Sequence, residues 1–84
     1  MNWQRIIKAL ITNKIFFLTW VDKLKLIASD LSLLELSEKA KIIYQKNNRL
    51  ATFEELRYAT SNSELTEPIK QKILQLLQDA ERIV

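Results

Sequence analysis

Residues 14–31 read KIFFLTWVDKLKLIASDL, and the reading of this stretch decides the fold. Phe17, Trp20, Val21, Leu24, Ile27, Ala28 and Leu31 recur at intervals of 3, 1, 3, 3, 1 and 3. That spacing is a wide helical stripe sustained for about four turns. Phe16, Leu18 and Leu26 fall outside its centre, so the helix is apolar on more than one side. Such a helix stands at the centre of a bundle or is covered by something else.

A membrane-spanning helix needs about 20 apolar residues. The uninterrupted run here is only Ile15 to Val21, with Thr19 inside it and Asn13-Lys14 and Asp22-Lys23 at its ends. The run is too short to span, and IASD (27–30) is a poor signal cleavage site. A helix lying on a membrane surface is a separate reading. Residues 3–25 set Trp3, Phe16, Phe17 and Trp20 among Arg5, Lys8, Lys14, Lys23 and Lys25, as peripheral helices do. The bundle-core reading is preferred, because the other helices need a central partner and this helix is the candidate for it. The surplus residues Phe16 and Leu18 would then form a patch for a second chain.

Towards the N-terminus, Asn2 can cap a helix beginning at Trp3, whose Trp3, Ile6, Ile7 and Leu10 share one face. Arg5 and Lys8 lie off that face. Thr12-Asn13 reads as a stop with Asn13 in the left-handed cap, although Lys14 could continue the helix.

Towards the C-terminus, Ser32 with Glu35, or the Ser37 of LSEKAK (36–41), opens a third helix between Leu33 and Glu38. It runs through Leu36, Ala40, Ile43 and Tyr44 to Asn47-Asn48. Thr52 and Glu55 form a capping-box pair before a short helix, FEELRYATS (53–61), with Phe53, Leu56 and Ala59 on its apolar face. SNS (61–63) is a turn. Thr66 caps a last helix with Pro68 in its first turn, where a missing N–H costs nothing. Its Ile69, Ile73, Leu76, Leu77, Ala80, Ile83 and Val84 make the cleanest amphipathic stripe in the chain. The expected fold is all-α, a small bundle of four to five short helices forming one domain over residues 1–84.

Composition agrees. The 84 residues contain no glycine, cysteine or histidine and are 48% hydrophobic. Glycine supplies the positive φ of tight hairpins and phosphate loops, and a helical chain needs few such positions. Without His and Cys there is no basis for the usual zinc sites, disulfide frameworks or His-dependent catalysis. Glu54 and Glu55 are adjacent and diverge on a helix. Glu64 and Glu67 are better read as favourable charge near a helix N-terminus. The expectation is a non-enzyme with no catalytic residue, cofactor, metal or small-molecule substrate. A cytoplasmic location is expected, since no convincing signal peptide or spanning helix is visible.

The net charge of +3 is unevenly spread. Residues 1–49 carry nine Lys/Arg against four acids, and residues 50–84 carry four against six. Opposed halves can attract different partners, or each other in a dimer. Within KAKIIYQKNNR (39–49), Lys39, Lys41, Lys46 and Arg49 are candidate phosphate contacts, with Tyr44, Gln45, Asn47 and Asn48 nearby. Lys39 and Lys46 share a helix face and Lys41 does not. A helix-turn-helix over residues 52–78 would place Glu64 and Glu67 where a recognition helix meets phosphate.

The favoured function is stoichiometric protein–protein binding, as an adaptor, inhibitor or immunity-like protein, with a homodimer as one form. Phe16, Leu18, Trp20 and Leu26 are the candidate interface. Nucleic-acid binding through the basic half and membrane-surface binding through residues 3–25 are the alternatives. In size and in its Lys/Ile/Asn-rich helical character the chain resembles small bacterial and phage proteins that act by stoichiometric binding, such as bacteriocin immunity proteins and phage-borne inhibitors. That resemblance implies a binding role and assigns no residue.

Overall fold

The computed structural model of the chain describes residues 2–27 and 29–83, with Ile27 described through its backbone alone. Five helices follow in order: α1 (Trp3–Thr12), α2 (Lys14–Ile27), α3 (Leu31–Asn47), α4 (Phe53–Ser61) and α5 (Glu67–Glu81). The described residues contain no strand, so the all-α bundle expected from the sequence is the fold. The radius of gyration is 11.5 Å, against about 12 Å for a compact chain of this length. The side chain of Ile27, and Ala28 and Val84, which the sequence reading placed in apolar stripes, lie outside the described residues.

Local chemistry explains the helix ends. Asn2 caps α1 by accepting the Arg5 N–H at 3.3 Å. Asn13 alone separates α1 from α2. Its N–H donates to the Ala9 carbonyl at 2.8 Å, its carbonyl accepts from Phe17 at 2.9 Å, and its Oδ1 accepts from Phe16 at 3.0 Å. One residue therefore closes one helix and opens the next. The left-handed cap expected at Asn13 is not formed. The residue is extended, at φ −130° and ψ 104°, because it must also serve as an N-cap, which takes β-region angles.

The start of α3 also differs from expectation. Asp30, not Ser32 or Ser37, is the N-cap, and its Oδ1 accepts the Ser32 N–H at 2.9 Å. Lys72 of α5 holds the other carboxylate oxygen, a tertiary contact that favours Asp30 at this position. Leu31 is consequently the first residue of α3 and half exposed, instead of the last of the α2 stripe. At the far end Asn48 takes the left-handed conformation, with φ 55°, and donates its N–H to Tyr44 at 2.8 Å. The α4 capping box forms as read. Glu55 N–H donates to Thr52 Oγ1 at 3.1 Å, and Thr52 N–H to Glu55 Oε1 at 3.0 Å.

The sequence reading put the second helix at the centre of the bundle. The structure puts α5 there. α5 packs against α1, α3 and α4, while the main neighbours of α2 are α1 and α3. Ile73, Leu77 and Ala80 of α5 are completely buried. They meet Ile7 and Leu10 of α1, Leu33, Leu36 and Ala40 of α3, and Leu56 of α4 in one core, which Phe17, Val21 and Leu24 of α2 join from the side. Three neighbours cover the stripe of α5, whereas the apolar surplus of α2 extends beyond the face that α1 and α3 cover. Two of the buried hydroxyls are satisfied within their own helices: Ser37 donates to Leu33 O, and Thr60 to Leu56 O, each at 2.7 Å.

Candidate functional site: the outer face of α2

The inner face of α2 is anchored to α3 by apolar and charged contacts. Phe17 and Tyr44 stand with ring centroids 5.0 Å apart. Lys25 Nζ lies 2.8 Å from Glu38 Oε1, and Lys41 Nζ lies 3.3 Å from Asp22 Oδ1. The hydrogen bond between them raises the Lys25 ammonium and lowers the Glu38 carboxyl from their ordinary ranges. These links fix which way the helix faces.

The opposite face is open. Ile15 is 78% exposed, Leu18 55% and Leu26 87%. The eleven steps from Ile15 to Leu26 cover about 16 Å along the axis. Thr19 and Asp22 lie between them, also exposed. Thr19 donates its hydroxyl to the Ile15 carbonyl at 2.9 Å. Phe16 and Trp20 occupy the flank, half-buried and stacked at 5.5 Å with their planes 10° apart. Lys23 Nζ lies 5.4 Å from the Trp20 ring centre, a cation–π distance. Asn13, Ile15, Phe16, Thr19 and Trp20 line a groove of about 310 Å³ beside the start of the helix.

The four interface residues expected from sequence thus divide. Leu18 and Leu26 stand free on the outer face, while Phe16 and Trp20 support its edge. Ile15 was not singled out, although it is three residues before Leu18 and eleven before Leu26, on the same side of a helix. The signal was legible in that spacing.

The four candidate phosphate contacts do not form one patch. Lys39 lies 3.7 Å from Glu35 and its side chain is only 13% exposed. Lys41 is held by Asp22. Arg49 grips Glu55 through two nitrogens, at 2.7 and 3.0 Å. Of the four, Lys46 is the one with no carboxylate within 4.0 Å among the described residues. It borders a second groove, of about 400 Å³, with Ile43, Asn47, Glu55, Tyr58 and Ala59. In the segment read as a helix-turn-helix, Lys72 is engaged by Asp30 and Lys70 approaches Glu67 at 3.9 Å.

The adjacent acids Glu54 and Glu55 are held by different cations. Glu54 faces Arg57 at 3.0 Å, Arg57 also reaches Glu81 at 3.1 Å, and Glu55 faces Arg49. Among the described residues no three metal-ligating side chains converge, and no helix is long and apolar enough to cross a membrane.

Comparison with known proteins gives no match: no family model, curated protein or solved structure aligns with this chain.

Proposed function

We propose that this chain is a non-catalytic binding module that docks a partner protein on the outer face of α2. The observation that carries the reading is the exposure of Ile15, Leu18 and Leu26 on one side of an edge helix whose other side is anchored in the core. Stability does not account for three large aliphatic side chains in water. Burying each is worth about 1.5–3 kcal/mol, and a partner is the means by which this face would gain it. Phe16 and Trp20 suit the edge of such an interface, since a stacked aromatic pair offers broad area at small cost in side-chain freedom.

A phosphate-binding role for Lys39, Lys41, Lys46 and Arg49 has less support, because three of the four cations are already opposed by carboxylates of the same chain. Releasing them to bind phosphate would leave Glu35, Asp22 and Glu55 facing the nucleic acid.

The test is a pull-down from the native host with the wild-type chain, with Leu18→Asp/Leu26→Asp and with Lys39→Glu/Lys46→Glu, each with and without nuclease. A protein held near one-to-one by the wild type and by the lysine variant, and lost by the leucine variant, supports the reading. Capture that depends on nucleic acid and fails with the lysine variant overturns it.

A further inference from the structure

We infer that the occupant of the α2 face is an acidic amphipathic helix, whose apolar stripe seats on Ile15, Leu18 and Leu26 and whose flanking carboxylates face Lys14 and Lys23. The inference rests on the proposal that this face docks a protein, and adds the chemistry of the partner.

Charge is the first argument. Residues 2–27 hold five cations, Arg5, Lys8, Lys14, Lys23 and Lys25, and a single acid, Asp22. Asp22 is engaged by Lys41, and Lys25 by Glu38. Arg5, Lys8, Lys14 and Lys23 have no carboxylate within 4.0 Å among the described residues. Among the described residues elsewhere on the bundle most cations meet an acid, with Lys46 and Arg82 the exceptions. On α2 the unmatched cations flank the apolar stripe. Lys14 is four residues before Leu18, and Lys23 is four after Thr19 and three before Leu26, the spacings at which helix side chains are neighbours.

The position of Lys14 is the second argument. It is the first residue of α2, and the first turn of that helix holds no acid. A cation there opposes the dipole of α2 and is favoured by the C-terminus of α1 just before it, so the two helix ends offset one another. The exposed ammonium is left free to meet carboxylates on a partner.

A second copy of this chain fits less well, because an isologous contact would set each lysine-flanked stripe against the other. A lipid surface fits less well too. Asp22, with its side chain 71% exposed, and Thr19 stand in the middle of the stripe. A protein partner can meet both with polar groups, whereas acyl chains cannot.

The experiment titrates the full chain into two labelled helical peptides, read by fluorescence anisotropy. Both carry leucines at i, i+4, i+7 and i+11. One has glutamates along the flanks and the other has lysines. The expected result is binding of the glutamate peptide at least about tenfold tighter than the lysine peptide. Lys14→Glu/Lys23→Glu should reverse or erase that preference, and Leu18→Asp/Leu26→Asp should abolish binding of both. All four positions are exposed or unpaired, so the variants keep the fold. Equal binding of both peptides, still lost with the leucine variant, overturns the acidic partner and leaves α2 as the docking face. Binding unaffected by the leucine variant overturns both. Dimerisation of the free chain through Leu18 and Leu26 in sedimentation, or capture by phosphatidylserine vesicles, with neither peptide bound, assigns the face to a second copy or to lipid and overturns the inference.

Discussion

The Asn13 carboxamide accepts the Phe16 N–H at 3.0 Å, and this one bond sets where α2 begins. Phe16 and Trp20, four residues further on, then stack on the flank of the outer face. Replacing Asn13 by alanine removes the cap. The expected loss is about 1 kcal/mol in urea unfolding. The helix start should also loosen, visible as faster amide exchange at Phe16 and Phe17. An unchanged unfolding midpoint would show that the bond carries no stability.

A second prediction separates the central helix from the edge helix. Leu77 is fully buried in α5 and Leu26 is 87% exposed on α2. Leu77→Ala should cost about 2–5 kcal/mol, enough to unfold much of a chain this small. Leu26→Ala should change stability by no more than about 0.5 kcal/mol. Comparable losses at the two positions would place Leu26 in the core rather than on an open face.

Acid sensitivity follows from the carboxylates. Arg49, with help from the Thr52 N–H, lowers Glu55 from 4.5 to about 2. Hydrogen bonds from Lys72 and Lys25 lower Asp30 and Glu38 in the same direction. A group held below its unfolded value contributes stability in full above that value and loses it as the pH falls through the folded value. Stability should therefore decline from about pH 4.5 towards about 2, and Glu55→Gln should flatten part of that decline. An NMR titration placing the Glu55 carboxyl near 4.5 would contradict the Arg49 contact.

Lys14 should matter more to binding than to stability. Lys14→Glu puts a favourable charge at the start of α2 and an unfavourable one beside the end of α1, so stability should change by less than about 1 kcal/mol. It should also weaken binding of an acidic partner. A variant that binds as well as the wild type would leave Lys14 without a part in docking.

These residues also show what could be read from the chain alone. The Thr52–Glu55 box and the Asn47-Asn48 stop were legible because each depends on neighbours within a few residues. The start of α3 was misplaced because Asp30 is held in part by Lys72, more than forty positions away, and no local pattern carries that contact. The central place of α5 was missed for a related reason. A wide stripe announces how much apolar surface a helix has, but neighbours decide how much of it is covered. For the candidate site, Leu18 and Leu26 were legible as surplus to the stripe. The Lys39–Glu35 pair is an i,i+4 contact that the spacing offered, whereas the Lys41–Asp22 pair depends on α2–α3 packing and the Arg49–Glu55 pair on the bend between α3 and α4, and a count of charges contains neither.

The most direct test of the account is a backbone amide shift map of the full chain, recorded as the glutamate-flanked peptide or a captured partner is added. Perturbed amides should cluster between Lys14 and Leu26, with α5 and the Lys39–Arg49 segment unmoved. A cluster centred instead on Lys46, Tyr58 and the α3–α4 groove, or on Lys39 and Arg49, would contradict it and move the function from α2 to α3 and α4.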